Sequence, residues 1–331
     1  MLFHPSKNPV ELKVMHLNKT QEQRREDLIE ATKGRAALKQ LKKTLVKKAK
    51  KATKATSRCK GHKKDTANNN GKTDSRQVFV LDFDGDMKAS AVSHLREEIS
   101  TLVSTANKGD EVVIRLESPG GLVHSYGLAA AQLVRLKDAG FKLTVCVDKV
   151  AASGGYMMAC VADNIIAAPF AVIGSIGVVS QLPNFHKWLK NHDVDYEQFT
   201  AGDYKRTVTV FGENDDEDRA KYQAELEQTH VLFKHFVNRY RSSLDVDKVA
   251  TGEHWYGEDA LQLKLVDSLQ TSDSYILELM EDNEVYALHS RQKPTLAEKL
   301  GLAQAATATL AMAVDKLPEA LMRFDFSNRF K

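Results

Sequence analysis

No run of about 18 apolar residues occurs anywhere in the chain, so the sequence offers no helix built to cross a membrane. No apolar core follows the opening Met1-Leu2-Phe3-His4-Pro5-Ser6, which argues against a secretory leader there. Cysteine is scarce. Cys59, Cys146 and Cys160 cannot make a disulfide framework, and Cys146 and Cys160 lie in apolar runs where a small core residue is expected. Neither C-x-x-C nor H-E-x-x-H appears, which argues against a bound metal, and nothing in the sequence calls for a cofactor. The G-x-S-x-G elbow is also missing, so the alpha/beta-hydrolase arrangement of a nucleophilic serine is disfavoured.

What is present is a marked asymmetry of charge. Residues 1–76 carry 21 Lys+Arg against 7 Asp+Glu, a net +14, whereas the other 255 residues carry 26 against 37, a net −11. Residues 20–56 read as one long, mostly solvated basic helix, and residues 57–76, with Asn68-Asn69-Asn70-Gly71, as a linker. The basic helix has no aromatic residue on which a base would stack and no readable motif, so specific nucleic-acid binding is not expected. Attraction to an anionic membrane surface fits the same charge. The expected division is therefore a basic helical segment and linker over 1–76, a body over 77–290, and a helical tail over 291–331.

The body alternates strands and helices. Strands are predicted over Gln77 to Phe83, Glu111 to Leu116, Phe141 to Val147 and Asn164 to Ala168, with helices over Ala89 to Thr105, Val123 to Ala139 and Gly155 to Ala162 between them. That order predicts an α/β fold with a parallel sheet and crossover helices. Right-handed crossovers would bring the Gly120-Gly121 turn and Ser153 to one sheet edge. Further on, the spacing predicts a short helix over Phe185 to Lys190, a strand over Asp195 to Thr200, and a long amphipathic helix over Glu217 to Tyr240 with Leu226, Phe233 and Val237 as core positions. Two short helices and a strand are expected over 245–280, and an alanine-rich helix over Leu296 to Phe324.

The stretch Asp148 to Asp163 draws the functional reading. Ser153 stands between two alanines and two glycines, after an apolar strand and before a small-residue helix. Such a turn leaves a hydroxyl open and backbone N–H groups free to hold an oxyanion; a helix-capping serine is the plainer alternative. The N–H of Gly154 and one from the Gly120-Gly121 turn are candidate oxyanion donors. A serine nucleophile needs a base. His124 is the histidine nearest the glycine turn but falls on a predicted helix. Lys149 and Lys205 flank small and hydroxyl residues, with a solvated surface lysine the ordinary reading of each. A lysine is a base only when neutral, so its ordinary pKa of about 10.4 has to fall by burial.

Four motifs occur in order: Glu117-Ser118-Pro119-Gly120-Gly121, Asp148-Lys149-Val150-Ala151-Ala152-Ser153-Gly154-Gly155-Tyr156, Gly174-Ser175-Ile176-Gly177-Val178 and Gly202-Asp203-Tyr204-Lys205. Together with Thr251-Gly252-Glu253-His254-Trp255-Tyr256-Gly257 they resemble the signal peptide peptidase SppA family of serine peptidases, in its short bacterial form, over about residues 76–290. The resemblance implies a ClpP/crotonase-like fold, here with a long basic N-terminal helix and a C-terminal helix. It implies a Ser-Lys dyad: Ser153 as nucleophile, Lys205 as general base, Gly154 and the Gly120-Gly121 turn as oxyanion donors, and Ser175 as a hydroxyl that orients the amine. It further implies peptide or unfolded-protein substrates, no cofactor, and a homo-oligomeric ring in which Lys205 serves Ser153 of the neighbouring subunit. It also implies a setting at the bacterial inner membrane. The family's short members begin with a hydrophobic anchor. The expectation is that this sequence starts downstream of one, with a soluble paralogue or attachment by charge alone as the alternatives. Two other functions compete: a crotonase-like acyl-CoA enzyme, which would leave the serine and lysine idle, and a non-catalytic membrane-associated scaffold.

Overall fold

The computed structural model describes residues 10–58, 76–202 and 204–292. The chain opens with strand β1 (Val10–His16) and helix α1 (Leu17–Arg58). The body then runs β2 (Gln77–Asp84), α2 (Val92–Thr105), β3 (Glu111–Glu117), α3 (Val123–Asp138) and β4 (Lys142–Val147). Next come β5 (Val150–Ala152), α4 (Gly154–Ala159), β6 (Asn164–Ala167), β7 (Val172–Gly174) and α5 (His186–Lys190). The last part holds α6 (Asp216–Tyr240), α7 (Val246–Val249), β8 (His254–Tyr256), α8 (Gly257–Gln262), β9 (Ser268–Leu269), α9 (Ser272–Asp282) and β10 (Glu284–Gln292). Two compact units are distinguished, one over Val14–His289 and one made from the two chain ends. In the latter, Arg291 pairs with Glu11 at 3.3 Å.

The main sheet has the strand order β1-β10-β2-β3-β4-β6-β9, and the β10-β2-β3-β4-β6-β9 pairings are all parallel. Successive side chains on a strand face opposite ways, so two different cores form. Val78, Val80, Val113, Cys146 and Ile166 share one face, where Ile276 of α9 packs with Met15 and Leu17 at its margin. Leu81, Phe83, Ile114, Leu116, Leu143 and Val145 are buried on the other. There α2 and α3 lie against β2 and β4, and Phe83 meets Tyr126 edge to face at 6.5 Å. A parallel sheet covered on both faces explains why these strands read as continuous apolar runs rather than alternations. A smaller sheet, β5-β7-β8, carries the chain away from the C-terminal end of β4.

The α/β expectation and the first four strands hold. Several local expectations do not. The basic helix is not straight: Gly34 has φ 78° and ψ 165°, outside helical values. Glu26 and Lys42 form an ion pair at 2.8 Å. Sixteen residues of straight helix would separate them by about 24 Å, so the chain doubles back at Gly34. The helix after Ser153 ends at Ala159 rather than Ala162. Residues 195–200 are exposed and form no strand, because no neighbouring chain offers them a ladder. Only Phe233 and Val237 of α6 are buried, and Leu226 is half-buried, since the first two-thirds of α6 has little above it. Residues 245–280 hold parts of three helices and two strands, not two helices and one strand. Residues 59–75 of the expected linker and the expected helix over Leu296 to Phe324 lie outside the described residues.

Buried polar groups fasten the N-terminal edge of the sheet. The Glu111 carboxylate accepts hydrogen bonds from Thr144 Oγ1 (2.7 Å), the Tyr275 hydroxyl (2.6 Å) and Lys142 Nζ (3.0 Å). Burial, then the bond to Glu111, pushes the Tyr275 phenol up, so it stays a neutral donor. Arg241 grips both oxygens of Asp267 (2.8 and 2.9 Å) and the Lys264 carbonyl (2.9 Å), while Asp267 also accepts from the Ile165 N–H (2.7 Å). Removing one partner of such a pair leaves the other unmatched. Arg241→Ala is therefore expected to lower stability by about 2 kcal/mol, read as a lower urea midpoint with an unchanged slope. An unshifted midpoint would show that the clamp contributes nothing.

Candidate functional site

A single residue separates β5 from α4. Ser153 sits there with φ 51° and ψ −117°, a region that L-residues avoid. It makes no side-chain cap hydrogen bond, which removes the capping role. Its N–H donates to the Gly174 carbonyl at 2.8 Å, and its carbonyl accepts from the Met157 N–H at 2.9 Å. The backbone is thus held on both sides, and its hydroxyl has no partner among the described residues. Strained backbone of this kind is stored where surrounding structure over-determines it, at about 1–3 kcal/mol per residue. The turn has the character of a nucleophile elbow although it lacks the G-x-S-x-G spelling.

The loop after β3 lies directly against this turn. Gly120 has φ 91°, and a Cβ built there would stand 2.8 Å from Ser153 Cβ, Gly154 N and the Ala152 carbonyl oxygen. Only glycine satisfies both the backbone and that approach. Gly154 is constrained differently, since a Cβ on it would lie 2.4 Å from Tyr126 Cγ. The glycine-rich spelling of the turns therefore comes from close packing, of one turn on the other at Gly120 and against Tyr126 at Gly154.

A chain of hydrogen bonds beneath the turns fixes them, and sequence reasoning did not assign it. The Tyr126 hydroxyl donates to the Asp86 carbonyl at 2.8 Å. With that proton committed, Ser118 Oγ donates to Tyr126 Oη at 2.6 Å and accepts from the Gly120 N–H at 3.1 Å. Burial raises the Tyr126 phenol, which keeps it a donor. The signal was present in Ser118-Pro119-Gly120-Gly121, but nothing local to it pointed to Tyr126 or Asp86. This chain also sets the candidate oxyanion donors apart. The Gly120 N–H is already used, whereas the Gly121 and Gly154 N–H groups have no acceptor among the described residues.

Ser175 lies beside Ser153. Strands β5 and β7 are parallel with Ala152 opposite Gly174, so the two serines follow as the next pair. Ser175 also has a positive φ of 51°, and its N–H donates to the Glu253 carbonyl at 2.7 Å. The structure thus brings Ser153, Gly154, Gly120, Gly121 and Ser175 together.

The basic candidates are placed very differently. His124 is exposed in the first turn of α3. Lys149 Nζ donates to Glu117 at 3.0 Å, and that hydrogen bond holds the amine above its ordinary value, the wrong direction for a base. Lys205 stands on the exposed segment between α5 and α6, and its amine has no hydrogen bond or ion pair among the described residues. It borders a cavity of about 690 Å³ lined by aromatic and apolar groups including Tyr196, Phe199 and Phe211, and none of the residues around Ser153 lines that cavity. No hydrogen bond joins Ser153 to Lys205. Asp203 lies outside the described residues.

Comparison with known proteins gives a consistent result. A model of peptidase family S49 matches residues 135–286, and a model of the family's N-terminal region matches residues 3–133. A relative from Haemophilus influenzae called "Probable protease SohB" is 61% identical over 224 residues, covering 68% of this chain and 64% of the relative. A "Probable protease SohB" from Buchnera aphidicola subsp. Acyrthosiphon pisum is 49% identical over 259 residues, covering 78% of this chain and 74% of the relative. The match thus spans a little under two-thirds of the first relative's length. Among solved structures, the 1510-N membrane-bound stomatin-specific protease aligns with a TM-score of 0.43 and 13% identity, over 67% of this chain and 100% of that one.

The geometry predicts two stability effects that separate strain from chemistry. Ser153→Gly is expected to be more stable than Ser153→Ala by about 1 kcal/mol, because glycine relieves the positive φ and alanine does not. Equal midpoints in urea would mean the turn is unstrained. Ser118→Ala is expected to cost about 1–3 kcal/mol by leaving the buried Gly120 N–H without an acceptor, and hydrogen exchange at Gly120 should rise.

Proposed function

The chain belongs to peptidase family S49, a family of serine peptidases, and from that premise we propose that it is a Ser-Lys endopeptidase with Ser153 as nucleophile and Lys205 as general base. The observation that carries the reading is the strained, unpartnered Ser153, packed against two glycine turns that hold free N–H groups.

The chemistry runs as follows. A neutral Lys205 amine takes the Ser153 hydroxyl proton as Oγ attacks the substrate carbonyl. The oxyanion accepts hydrogen bonds from the Gly154 and Gly121 N–H groups, each such donor typically contributing about 2.7–4 kcal/mol to lowering the barrier. The lysine ammonium gives its proton to the leaving amine, and an acyl-enzyme on Ser153 remains. The amine then deprotonates water, which attacks the ester; as the acyl C–O bond breaks, the ammonium returns that proton to Ser153 Oγ and the acid is released. Ser175 orients the amine. Gly120 shapes the turn and leaves the oxyanion to its neighbours.

A solvated lysine is protonated at neutral pH, so Lys205 has to be covered before it takes a proton. The covering in this reading is a second copy of the chain. The segment that carries Lys205 exposes Phe199 at 89% and Tyr204 at 60%, together with Phe185 and Trp188. Exposed aromatic groups gathered on one segment fit an interface. The proposed assembly is a homo-oligomeric ring in which Lys205 of one subunit reaches Ser153 of the next. Its substrates are peptides or unfolded polypeptide at the bacterial inner membrane. Among the described residues no helix is long and apolar enough to cross a membrane.

Covalent labelling by a fluorophosphonate tests the reading. Labelling on Ser153 is expected, with loss in Ser153→Ala and a drop of at least about 100-fold in rate in Lys205→Ala. Turnover of an unstructured peptide by Ser153→Ala at the rate of the unsubstituted protein would sink the assignment. Mixing Ser153→Ala with Lys205→Ala subunits is expected to restore part of the activity. Complete absence of rescue in a mixed assembly would show that one subunit supplies both groups.

A further inference from the structure

Helix α1 carries its charge on one side of its hinge only. The arm before Gly34, residues 17–33, has four Lys+Arg and four Asp+Glu. The arm after it, residues 35–58, has ten Lys+Arg and no carboxylate. The neutral arm is the one fastened to the body. Asn18 Nδ2 donates to the Met280 and Asn283 carbonyls at 3.1 and 2.9 Å, and Asn18 Oδ1 accepts from the Val285 N–H at 2.8 Å. The positive φ of Gly34 turns the second arm back along the first, and the Lys42–Glu26 pair closes the hairpin. In the part of the second arm whose side chains are described, Ala37, Leu38 and Leu41 are half-buried, while Arg35, Lys39, Lys42 and Lys43 are exposed. Among those residues the covered side chains are apolar and the cations are exposed.

We propose that this second arm, residues 35–58, is a docking surface for an anionic lipid bilayer. Eight of its ten cations are lysine. Lysine is a flexible, strongly hydrated point charge that suits a diffuse layer of headgroups, whereas recognition of particular phosphates favours the arginine fork. The arm has no aromatic residue, so it lacks the stacking platforms of a single-strand nucleic-acid surface. Lysine is also depleted in the cores of protein interfaces, and Leu38 and Leu41 are already half-buried, so a second protein chain is a poorer fit. The attraction is electrostatic, without insertion of apolar side chains. It is therefore salt-sensitive and selective for negative lipid. Nothing in this inference depends on the peptidase chemistry.

Flotation of the full chain with phosphatidylcholine vesicles, with and without phosphatidylglycerol, tests it. The chain is expected to float only with the anionic vesicles and to be released by about 0.5 M salt. Replacing the eight lysines of the second arm with glutamine, which keeps helix propensity, is expected to weaken vesicle binding by at least ~100-fold. The urea midpoint of that variant, compared with that of the unsubstituted chain, reports whether it is folded, and the salt release of the unsubstituted chain needs no variant. Equal flotation with neutral vesicles, binding that survives the glutamine replacements, or binding to duplex DNA in place of vesicles would each overturn the proposal. So would a loss of self-association in the glutamine variant with vesicle binding unchanged, which would assign the arm to a second copy of the chain.

Discussion

The backbone of Ser153 is held at φ 51° and ψ −117°, and much of the surrounding structure follows from keeping it there. An L-residue in that conformation relaxes unless its neighbours prevent it. Here the Gly174 carbonyl takes its N–H, α4 starts on its own carbonyl, and Gly120 fills the space a relaxing turn would need. Each of these restraints fixes another residue. Gly120 cannot be larger, Gly154 must leave room for the Tyr126 ring, and Tyr126 must sit at full burial with its hydroxyl satisfied by Asp86. The return for this strain is a hydroxyl that is half-exposed, unpartnered and aimed by the backbone, with no flexible side chain involved in aiming it.

The proposed nucleophile and oxyanion donors are thus built into the rigid body, and the proposed base is not. This separation has a physical logic. A lysine must be desolvated to lose its proton, and a monomer that buried an unpaired lysine beside Ser153 would bear that cost permanently. Carrying Lys205 on an exposed segment moves the desolvation to the moment of assembly, where burial of aromatic groups such as Phe199 and Tyr204 offsets it. In this reading an unassembled subunit is also an inactive one, a useful property for a peptidase that acts on unfolded chains.

The central sheet was legible because a strand covered on both faces must be apolar throughout, as Val112 to Ile114 and Leu143 to Val147 are. The Ser153 turn was legible because glycines and alanines crowd around it for steric reasons. What the sequence did not reveal depends on distant partners. Nothing near Ser118 announces that its hydroxyl links Tyr126 to Gly120, because the contact spans a strand end and a helix. The extended segment at 195–200 has suitable residues for a strand but no neighbour to pair with. Gly34 sits in a helical pattern that looks continuous, and the reversal there is visible only in the pairing of Glu26 with Lys42. Lys149 and Lys205 look alike in sequence, and it is Glu117 beside one of them that separates their roles.

The strain at one end of the sheet has its counterweight at the other. Ser153 and the glycine turn lie beyond the C-terminal ends of the parallel strands. The carboxylate networks lie at the N-terminal ends: Glu111 with Thr144 and Tyr275, Asp110 with the Gln77 and Asn107 N–H groups, and Asp267 with Arg241 and the Ile165 N–H. The two sets share no side chain, so substitutions in one need not disturb the other directly. Parallel strands transmit the restraint between them, because each is paired along its length and cannot slip by one residue without turning its core face to the wrong side. The polar networks fix the register at the end that has no chemistry to perform. That leaves the opposite end free to hold a strained backbone conformation, which in the proposed reading serves reactivity rather than stability.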